Sequence, residues 1–189
     1  MGYYPVMVDL GRIPVLVVGA GHVAEQKLYA LLAAGPRRLD VVAPRATPTI
    51  AEWAETGRLR WHARPVRPED IQQHQLVVAA TGDAAVNRDV ARWAKAAGAW
   101  VNVVDDRRRS TVIGASHFRR GPLVVAVSTS GRAPGLAKLL RQVLEAEFGA
   151  EWAAWTREAG RLRRSLPPED RGPALGRWWR TKQEAGGKS

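Results

Sequence analysis

The feature that most constrains this chain is an apolar run that leads into a glycine-rich turn and then a helical pattern. Residues 15–27 read VLVVGAGHVAEQK. The apolar residues 15–18 predict a buried strand, and the spacing of apolar residues over 22–34 predicts a helix that ends before Gly35. A G-x-G-x-x-A turn between a strand and a helix is typical of the first βαβ unit of a dinucleotide-binding fold. The sequence therefore predicts an α/β protein.

Each small residue of this turn has a distinct physical role in such a unit. Gly19 permits the tight turn, Gly21 lets a pyrophosphate approach the backbone, and Ala24 lets the helix pack closely on the strand. The start of the helix, at His22 and Val23, offers backbone N–H groups to phosphate oxygens. The turn is predicted to bind a dinucleotide. The alternative at this point is a tight strand–helix turn that binds nothing.

The rest of the chain divides into an alternating part and a helical part. Further strands are predicted at 5–9, 39–43, 59–63, 75–80 and 99–104, with helices at 47–56 and 84–97. After residue 104 the pattern changes to strands at 111–115 and 123–127, a helix after Pro134, and tryptophan-rich helical segments that end with one at 174–184. We predict a Rossmann-type NAD-binding sheet at 1–113, a small β-plus-helix dimerisation region at 114–148 and a helical C-terminal region at 149–189, with a disordered tail at 186–189.

One expected feature is absent from the second predicted strand. Dinucleotide folds usually end this strand with an acidic residue that binds the ribose hydroxyls. Here the strand ends Val-Val-Ala-Pro44-Arg45, and Asp40 lies too early, inside the strand. Arg45 is suited to a 2′-phosphate or to solvent. The spacing alone leaves the choice between NAD and NADP open.

A second candidate site is the stretch VNVVDD at 101–106. Asn102 and Asp105 lie at or after the carboxyl end of a predicted parallel strand, the edge where open α/β sheets bind ligands. A carboxylate there can accept a proton. The plainer interpretation is a surface turn before Arg107 and its two arginine neighbours.

A third candidate is the hydroxyl-rich segment that follows the strand at 123–127. Ser128, Thr129 and Ser130 are followed by Arg132 and a helix. Hydroxyls, backbone N–H groups and a guanidinium together make an anion site. Helix capping and turn formation are the alternative roles of these hydroxyls.

The charge of the chain narrows the classes of partner. The net charge is +11, and residues 107–189 carry 17 Lys/Arg against 7 Asp/Glu, whereas residues 1–106 are nearly balanced. A basic field attracts polyanions, either nucleic acid or a small polycarboxylate.

The chain contains no cysteine, and its four histidines lack metal-ligand spacing, so no metal site is predicted. It also shows no signal or membrane-spanning pattern, and a cytoplasmic location is expected.

The order of the motifs resembles a known family. VLVVGAGHVAEQK, VNVVDD and LVVAVSTSGRAPGLAKLLR follow one another, and Tyr4-Pro5-Val6, Ala79-Ala80-Thr81 and Asn87 also match. This pattern is similar to the precorrin-2 dehydrogenase / sirohydrochlorin ferrochelatase family, which includes the amino-terminal part of siroheme synthases and the stand-alone enzymes that form sirohydrochlorin. No methyltransferase domain follows, so the chain looks like the stand-alone form.

The resemblance implies a function and a set of site residues. Members oxidise precorrin-2 to sirohydrochlorin with NAD⁺, act as homodimers, and in some cases also insert ferrous iron. By this resemblance Asp105 is the acid/base residue, and Thr129 matches a position that is phosphorylated as serine in some relatives. The predicted cofactor contacts are Gly19, Gly21, His22, Val23, Ala24, Pro44, Arg45 and Thr81; the predicted substrate contacts are Asn102, Arg107, Ser128, Thr129, Ser130 and Arg132.

Two other functions remain as alternatives to the oxidation alone. One is a bifunctional enzyme that also inserts iron into sirohydrochlorin. The other is a nucleotide-sensing, non-enzymatic binder of polyanions that uses the basic second part. The basic helix at 152–164 lacks polar base-reading residues and no helix-turn-helix is evident, so nucleic acid is not the expected partner. No membrane partner is expected either.

Overall fold

A computed structural model describes residues 2–186 of the chain. The first unit of the fold alternates strands and helices, and the second begins with a β-hairpin and ends in helices. In chain order the elements are β1 (Pro14–Val18), α1 (His22–Ala33), β2 (Arg38–Val42), α2 (Pro48–Glu55), β3 (Arg60–His62), α3 (Pro68–Gln72), β4 (Leu76–Ala79), α4 (Ala84–Ala96), β5 (Trp100–Val103), β6 (Ser116–Arg120), β7 (Leu123–Val127), α5 (Pro134–Glu147), α6 (Glu151–Arg164) and α7 (Pro168–Gly186).

The first five strands form one parallel sheet in the order β3-β2-β1-β4-β5. The chain first builds outward from β1 to β3 and then crosses to the other side of β1 for β4 and β5. Parallel strands joined by helices form because each helix must cross over the sheet before the next strand starts. The prediction of a Rossmann-type α/β fold is confirmed.

Helices cover both faces of this sheet. Val15 and Val17 of β1 pack in one apolar cluster with Leu28 of α1 and Trp53 of α2. Residues of β1 that point the other way pack in a second cluster with Ile71 of α3 and with α4. The strands are apolar on both faces because neither face meets water, which explains the unbroken run at 15–18.

The free edge of β5 is covered by the segment that follows it. Thr111 accepts a hydrogen bond from the Val101 N–H through its hydroxyl at 2.8 Å and donates its own N–H to the Val101 carbonyl. The Ser110 hydroxyl accepts from the Val103 N–H at 2.9 Å. The strand predicted at 111–115 is therefore wrong: side-chain hydroxyls, rather than a sixth strand, satisfy much of this edge.

The chain separates after Gly114 into a second compact unit that begins at Ala115. Here β6 and β7 form an antiparallel hairpin on which α5 packs, and α6 packs against α7. An aromatic cluster lies inside this unit, with ring centroids 4.7 Å apart for Phe148 and Trp152 and 5.6 Å apart for Trp152 and Trp179. The proposed division of this part at residue 148 stays a prediction.

Three further details differ from the sequence-based prediction. Residues 5–9 form no strand and are mostly exposed, because no neighbouring strand pairs with them. The short helix α3 was not predicted, since Pro68 starts only five helical residues. Helix α7 begins at Pro168 rather than at 174 and contains Pro173.

The tail predicted to be disordered lies outside the described residues, except Gly186. Within the described part of the chain, no helix has both the length and the apolar character that a membrane span requires.

Candidate functional site

The first feature of the site is the crevice between β1 and β4. The strand order reverses at this point, because β2 lies on one side of β1 and β4 on the other. Val18 and Ala79 are in register, so Gly19 and Ala80 leave their strands side by side. Open α/β sheets bind ligands at such switch points, at the carboxyl ends of the strands.

Gly19 is required by its neighbours as well as by its backbone. Its φ is +106°, and a Cβ on this residue would lie 2.5 Å from the carbonyl oxygen of Ala80. No residue other than glycine fits without movement of β4. Gly21, by contrast, has an ordinary φ of −87°, and a Cβ there would meet nothing within 4 Å. The space beside Gly21 is open, as the approach of a phosphate requires.

The start of α1 differs from the starts of α2 and α4, which lie at the same edge of the sheet. Thr47 caps α2 by accepting from the Ile50 N–H, and Asp83 caps α4 by accepting from the N–H groups of Ala85 and Val86. Among residues 2–186, no side chain caps α1 at Gly21. The first-turn N–H groups therefore remain available for an anion.

The four residues of this turn that follow Gly19 among the predicted cofactor contacts have different surroundings. Gly21, His22 and Val23 are exposed, and Val23 keeps 47% of its surface accessible. Ala24 is fully buried and packs in the core. Its small side chain lets α1 approach the sheet, which is the role that the sequence pattern predicts.

Asn87 holds the end of β4 in place. Its Oδ1 accepts from both the N–H and the hydroxyl of Thr81, and its Nδ2 donates to the Thr81 carbonyl at 3.0 Å. The Thr81 hydroxyl is thus bonded to α4. Thr81 keeps its place at the crevice opposite Gly19, held there by a side chain six residues further along.

The loop after β2 is joined to α1 by residues that the sequence analysis did not identify. The Thr47 hydroxyl donates to Glu25 Oε2 at 2.6 Å, and the Thr47 N–H donates to the Ala20 carbonyl at 3.0 Å. Pro44 and Arg45 are exposed in this loop. Thr47-Pro48 is a recognisable helix start in the sequence. The hydrogen bond from Thr47 to Glu25, 22 positions away, is not predicted by any sequence pattern.

The second feature of the site is the turn after β5. Asp105 is exposed and has a φ of +58°, a left-handed conformation that aspartate tolerates better than most residues. Its neighbour Asp106 accepts from the backbone and guanidinium of Arg109, and the Arg109 hydrogen bond lowers the pKa of Asp106. Of the two carboxylates, Asp106 holds the turn, whereas Asp105 has no hydrogen-bond donor among the described residues.

Asn102 and Arg107 lie on either side of this turn. Asn102 is half-buried, and its Nδ2 donates to the Val112 carbonyl at 3.1 Å, which holds the segment that covers β5. Arg107 is exposed, and its guanidinium lies 5.9 Å from the ring centroid of Tyr3. The structure thus brings Asn102, Asp105 and Arg107 to the carboxyl edge of the sheet, two strands from Gly19.

The hydroxyl-rich segment lies in the second unit, before α5. The Ser128 hydroxyl accepts from the Ser130 N–H, and the Thr129 hydroxyl accepts from the Ala133 N–H at 3.0 Å. Ser130 has a φ of +55° and Arg132 is exposed. The capping alternative thus applies in part, since Ser128 and Thr129 order the turn while the Arg132 side chain extends to solvent.

Two of the histidines pack around Asp40, which is 1% exposed. Its oxygens lie 2.8 Å from His74 Nε2, 3.1 Å from His62 Nε2 and 2.5 Å from Arg38 Nε. Burial raises the pKa of Asp40, but these hydrogen bonds together lower the pKa below its ordinary value. Asp40 is thus a structural carboxylate, and among residues 2–186 no group of three or more acidic or histidine side chains is arranged to hold a metal ion.

Comparison with known proteins agrees with this geometry. A family model described as "Putative NAD(P)-binding" matches residues 6–116, more than half of the chain. The chain belongs to this NAD(P)-binding family. The matched residues contain β1 to β5, the open space beside Gly21 and the uncapped start of α1. The residues of the turn therefore fit the dinucleotide that the family binds.

Other relatives indicate a more specific group within the NAD(P)-binding family. A second model, "Sirohaem biosynthesis protein central", matches residues 120–147. Siroheme synthase 3 of Aeromonas hydrophila is 45% identical over 163 residues, which are 86% of this chain and 35% of that protein. A siroheme synthase of Neisseria meningitidis is 42% identical over 77% of this chain and 30% of its own length. The chain thus spans about a third of the length of these curated relatives.

A solved structure matches over most of both chains. The precorrin-2 dehydrogenase SirC superposes with a TM-score of 0.75 and 28% identity, over 93% of this chain and 88% of that one. The resemblance stated from the motifs is confirmed by these findings.

Proposed function

We propose that this protein oxidises precorrin-2 to sirohydrochlorin with NAD⁺, a step of siroheme biosynthesis. The observation that carries the proposal is the pairing of two features at one sheet edge. The start of α1 lies beside Gly21, and the carboxylate of Asp105, which has no donor among the described residues, lies two strands away, about 10 Å by strand spacing. A dinucleotide whose pyrophosphate binds at α1 is long enough to extend from there to β5.

The chain's own residues supply binding, orientation and a proton acceptor. The N–H groups of the first turn of α1 bind the pyrophosphate, and Asn87 keeps Thr81 and the end of β4 in position beside it. The bound NAD⁺ supplies the hydride acceptor. Asp105 takes the proton that precorrin-2 loses together with the hydride, so that two hydrogens leave the tetrapyrrole in total.

Basic residues are proposed to bind the carboxylates of the tetrapyrrole. Precorrin-2 carries eight carboxylates, and 17 of the 29 Lys/Arg residues lie in 107–189. Arg107 and Arg132 are exposed and suited to such contacts, together with Asn102 and the hydroxyls of residues 128–130.

The proposed carboxylate contacts make the Michaelis constant depend on salt. We expect the KM for precorrin-2 to rise with ionic strength, because exposed charge pairs are screened within about 10 Å at 0.1 M salt. The measurement is the initial rate of oxidation at several salt concentrations, with the KM for NAD⁺ recorded as the internal comparison. A KM for precorrin-2 that is constant across the salt series would contradict the proposal that these arginines bind the substrate.

We also infer that the protein is a homodimer joined through α5. One face of this helix carries exposed apolar side chains, with 61% of Leu139 and 62% of Val143 accessible. Leu136 and Leu140 extend the same face at helical spacing. Among the described residues of the second unit, only Phe118, Ala137 and Ala174 are buried hydrophobics. A unit with so small a core is stabilised when a second copy covers this face.

The test of the function is anaerobic turnover. Purified protein, enzymatically made precorrin-2 and NAD⁺ are followed by NADH absorbance and by the tetrapyrrole spectrum, with and without Fe²⁺. Formation of NADH together with sirohydrochlorin supports the proposal. A further change to siroheme that needs both protein and Fe²⁺ adds iron insertion. Absence of turnover with both NAD⁺ and NADP⁺ overturns the proposal that the protein is an enzyme and favours the alternative of a non-enzymatic polyanion binder. That alternative would then be tested by measuring the affinity for duplex DNA at several salt concentrations.

A further inference from the structure

The end of β2 presents a cation and lacks a free carboxylate. Pro44 and Arg45 are both exposed directly after β2 and Ala43. In folds of this kind, the residue at this position contacts the adenosine ribose, where an acidic side chain binds the 2′-hydroxyl and an arginine accommodates a 2′-phosphate. The chemistry of this loop therefore determines which of the two dinucleotides fits.

Two carboxylates near this loop, Asp40 of β2 and Glu25, which is hydrogen-bonded to Thr47, already have donors. Asp40 is 1% exposed and accepts from Arg38 and His74 through one oxygen and from His62 through the other. Glu25 accepts the hydroxyl hydrogen of Thr47 at 2.6 Å. Both carboxylates thus already accept hydrogen bonds from protein side chains, and Asp40 is held inside the sheet.

Arg45 is the cation that this loop leaves without an acidic partner. At the end of the adjacent strand β3, Arg64 forms a bidentate pair with Asp70, with distances of 2.6 and 2.8 Å. No salt bridge in the described part of the chain includes Arg45. A guanidinium that is exposed and unpaired is able to bind a phosphate dianion through two N–H groups.

We propose that the protein also accepts NADP⁺ and that Arg45 is the residue that recognises its 2′-phosphate. The proposal rests on the proposed function, since it concerns the adenosine end of the same dinucleotide site. The absence of a carboxylate at the end of β2 removes the repulsion that normally excludes the phosphate. Arg45 then supplies an attraction that NAD⁺, which has no phosphate there, does not use.

The test compares the two dinucleotides by binding alone. Isothermal titration calorimetry of the intact protein with NAD⁺ and with NADP⁺ gives two dissociation constants and needs no precorrin-2. We expect the NADP⁺ value to lie within about tenfold of the NAD⁺ value. In Arg45→Glu the ratio of NADP⁺ to NAD⁺ dissociation constants should rise by about tenfold or more, because a charge that attracts the 2′-phosphate is replaced by one that repels it.

A matched control has the same change of charge at the other end of the same strand. Arg37 is exposed and precedes β2, and the five residues of β2 alone place it about 16 Å or more from Arg45. Arg37→Glu should leave the ratio of the two constants as in the wild type. Arg45→Ala is the second variant, with a smaller rise in the ratio than Arg45→Glu, and thermal unfolding checks that each variant is folded.

The outcomes separate this inference from the proposed function. Binding of NAD⁺ with NADP⁺ more than about a hundredfold weaker overturns the NADP⁺ proposal and leaves the oxidation with NAD⁺ standing. An equal change of the ratio in Arg45→Glu and Arg37→Glu overturns the role of Arg45. Binding of neither dinucleotide overturns both this inference and the proposed function.

Discussion

Asp105 and Asp106 are neighbours in sequence but have different roles. Asp106 is held by Arg109, whereas Asp105 is exposed, without a donor among the described residues, and in a left-handed backbone conformation. Such a conformation costs free energy and is often retained where a side chain must be presented. The sequence placed both carboxylates at the right edge, and the turn geometry separates them.

Replacement of Asp105 tests its role as the proton acceptor. In Asp105→Asn we expect turnover of precorrin-2 to fall by about 100-fold or more, because an amide does not accept the proton, while NAD⁺ still binds. Asparagine also tolerates the left-handed conformation, so the backbone of the turn is retained. Anaerobic NADH formation and calorimetric NAD⁺ binding are the two measurements.

The control for this change is the adjacent carboxylate. Asp106→Asn loses the ion pair with Arg109, and we expect a modest loss of thermal stability with turnover retained to within a few-fold. Equal losses of turnover in the two variants would contradict a special role for Asp105. Wild-type turnover in Asp105→Asn with an unchanged pH profile would also do so.

Substitution of the two glycines of the first turn is expected to have two different effects, one on NAD⁺ binding and one on stability. Gly21→Ala places a methyl group in open space, so we expect an unchanged melting temperature but NAD⁺ binding weaker by about tenfold or more, since the methyl blocks the phosphate. Gly19→Ala forces a contact of 2.5 Å with Ala80 and should destabilise the fold itself. Thermal unfolding and calorimetry on both variants separate the effect on stability from the effect on NAD⁺ binding. If Gly21→Ala binds NAD⁺ as tightly as the wild type, the pyrophosphate does not bind beside Gly21.

At the scale of the elements, a hydrogen-bonded network around the buried carboxylate of Asp40 joins β2 to its neighbours. Asp40 of β2 connects to His62 of β3 and to His74, which follows α3 and whose Nδ1 lies 2.6 Å from the Asp70 carbonyl. The side chains of Asp40 and His74 are 1% and 4% exposed, so loss of the Asp40 charge leaves the buried His74 without its carboxylate partner. The network therefore holds β2 against β3 and against the segment that follows α3.

This network predicts how stability depends on pH. Since the pKa of Asp40 in the folded state lies below its ordinary value of 3.8, its stabilisation is complete above that value and is lost as the pH falls below it. Asp70, whose pKa the Arg64 hydrogen bond lowers, acts in the same direction. We expect Asp40→Asn to reduce the free energy of unfolding at neutral pH by about 3 kcal/mol and to flatten its decline in acid. Urea unfolding across the pH range is the measurement, and an acid limb as steep as that of the wild type would contradict it.

The elements also show which local signals were sufficient. Strands β1, β2, β4 and β5 and helices α1, α2 and α4 lie where apolar periodicity and turn residues predict them. The prediction of a strand at 111–115 was wrong because the Thr111 hydroxyl accepts a hydrogen bond from the backbone of β5. Strand propensity does not describe such a contact between a side chain and a backbone. The short α3 is fixed by packing of Ile71 on α4 rather than by a long apolar pattern.

At the scale of the whole molecule, only three hydrophobic residues are buried in the described part of the second unit. The exposed face of α5 carries Leu139 and Val143, and the proposed dimer covers it. We expect the double variant Leu139→Glu/Val143→Glu to sediment as a monomer where the wild type sediments as a dimer, because buried charges oppose association. Analytical ultracentrifugation at several concentrations is the measurement.

The control for the dimer changes charge outside this face. Arg163→Glu alters an exposed residue in the last turn of α6 and should leave the wild-type association state intact. A wild type that is monomeric at all concentrations, or a double variant that still dimerises, would contradict the proposed interface.

The sequence by itself determined the class of fold and the position of the dinucleotide turn. Both follow from local rules: the period of apolar residues sets strands and helices, and only small residues fit a G-x-G-x-x-A turn. It also located Asp105 at the carboxyl edge, since that edge is defined by the direction of the strand. Tertiary structure alone decided that Asp40 is buried among His62, His74 and Arg38, that Thr47 bonds Glu25, and that α1 is left uncapped. These contacts join residues up to 34 positions apart, and their energy depends on burial and distance, which a linear pattern does not contain.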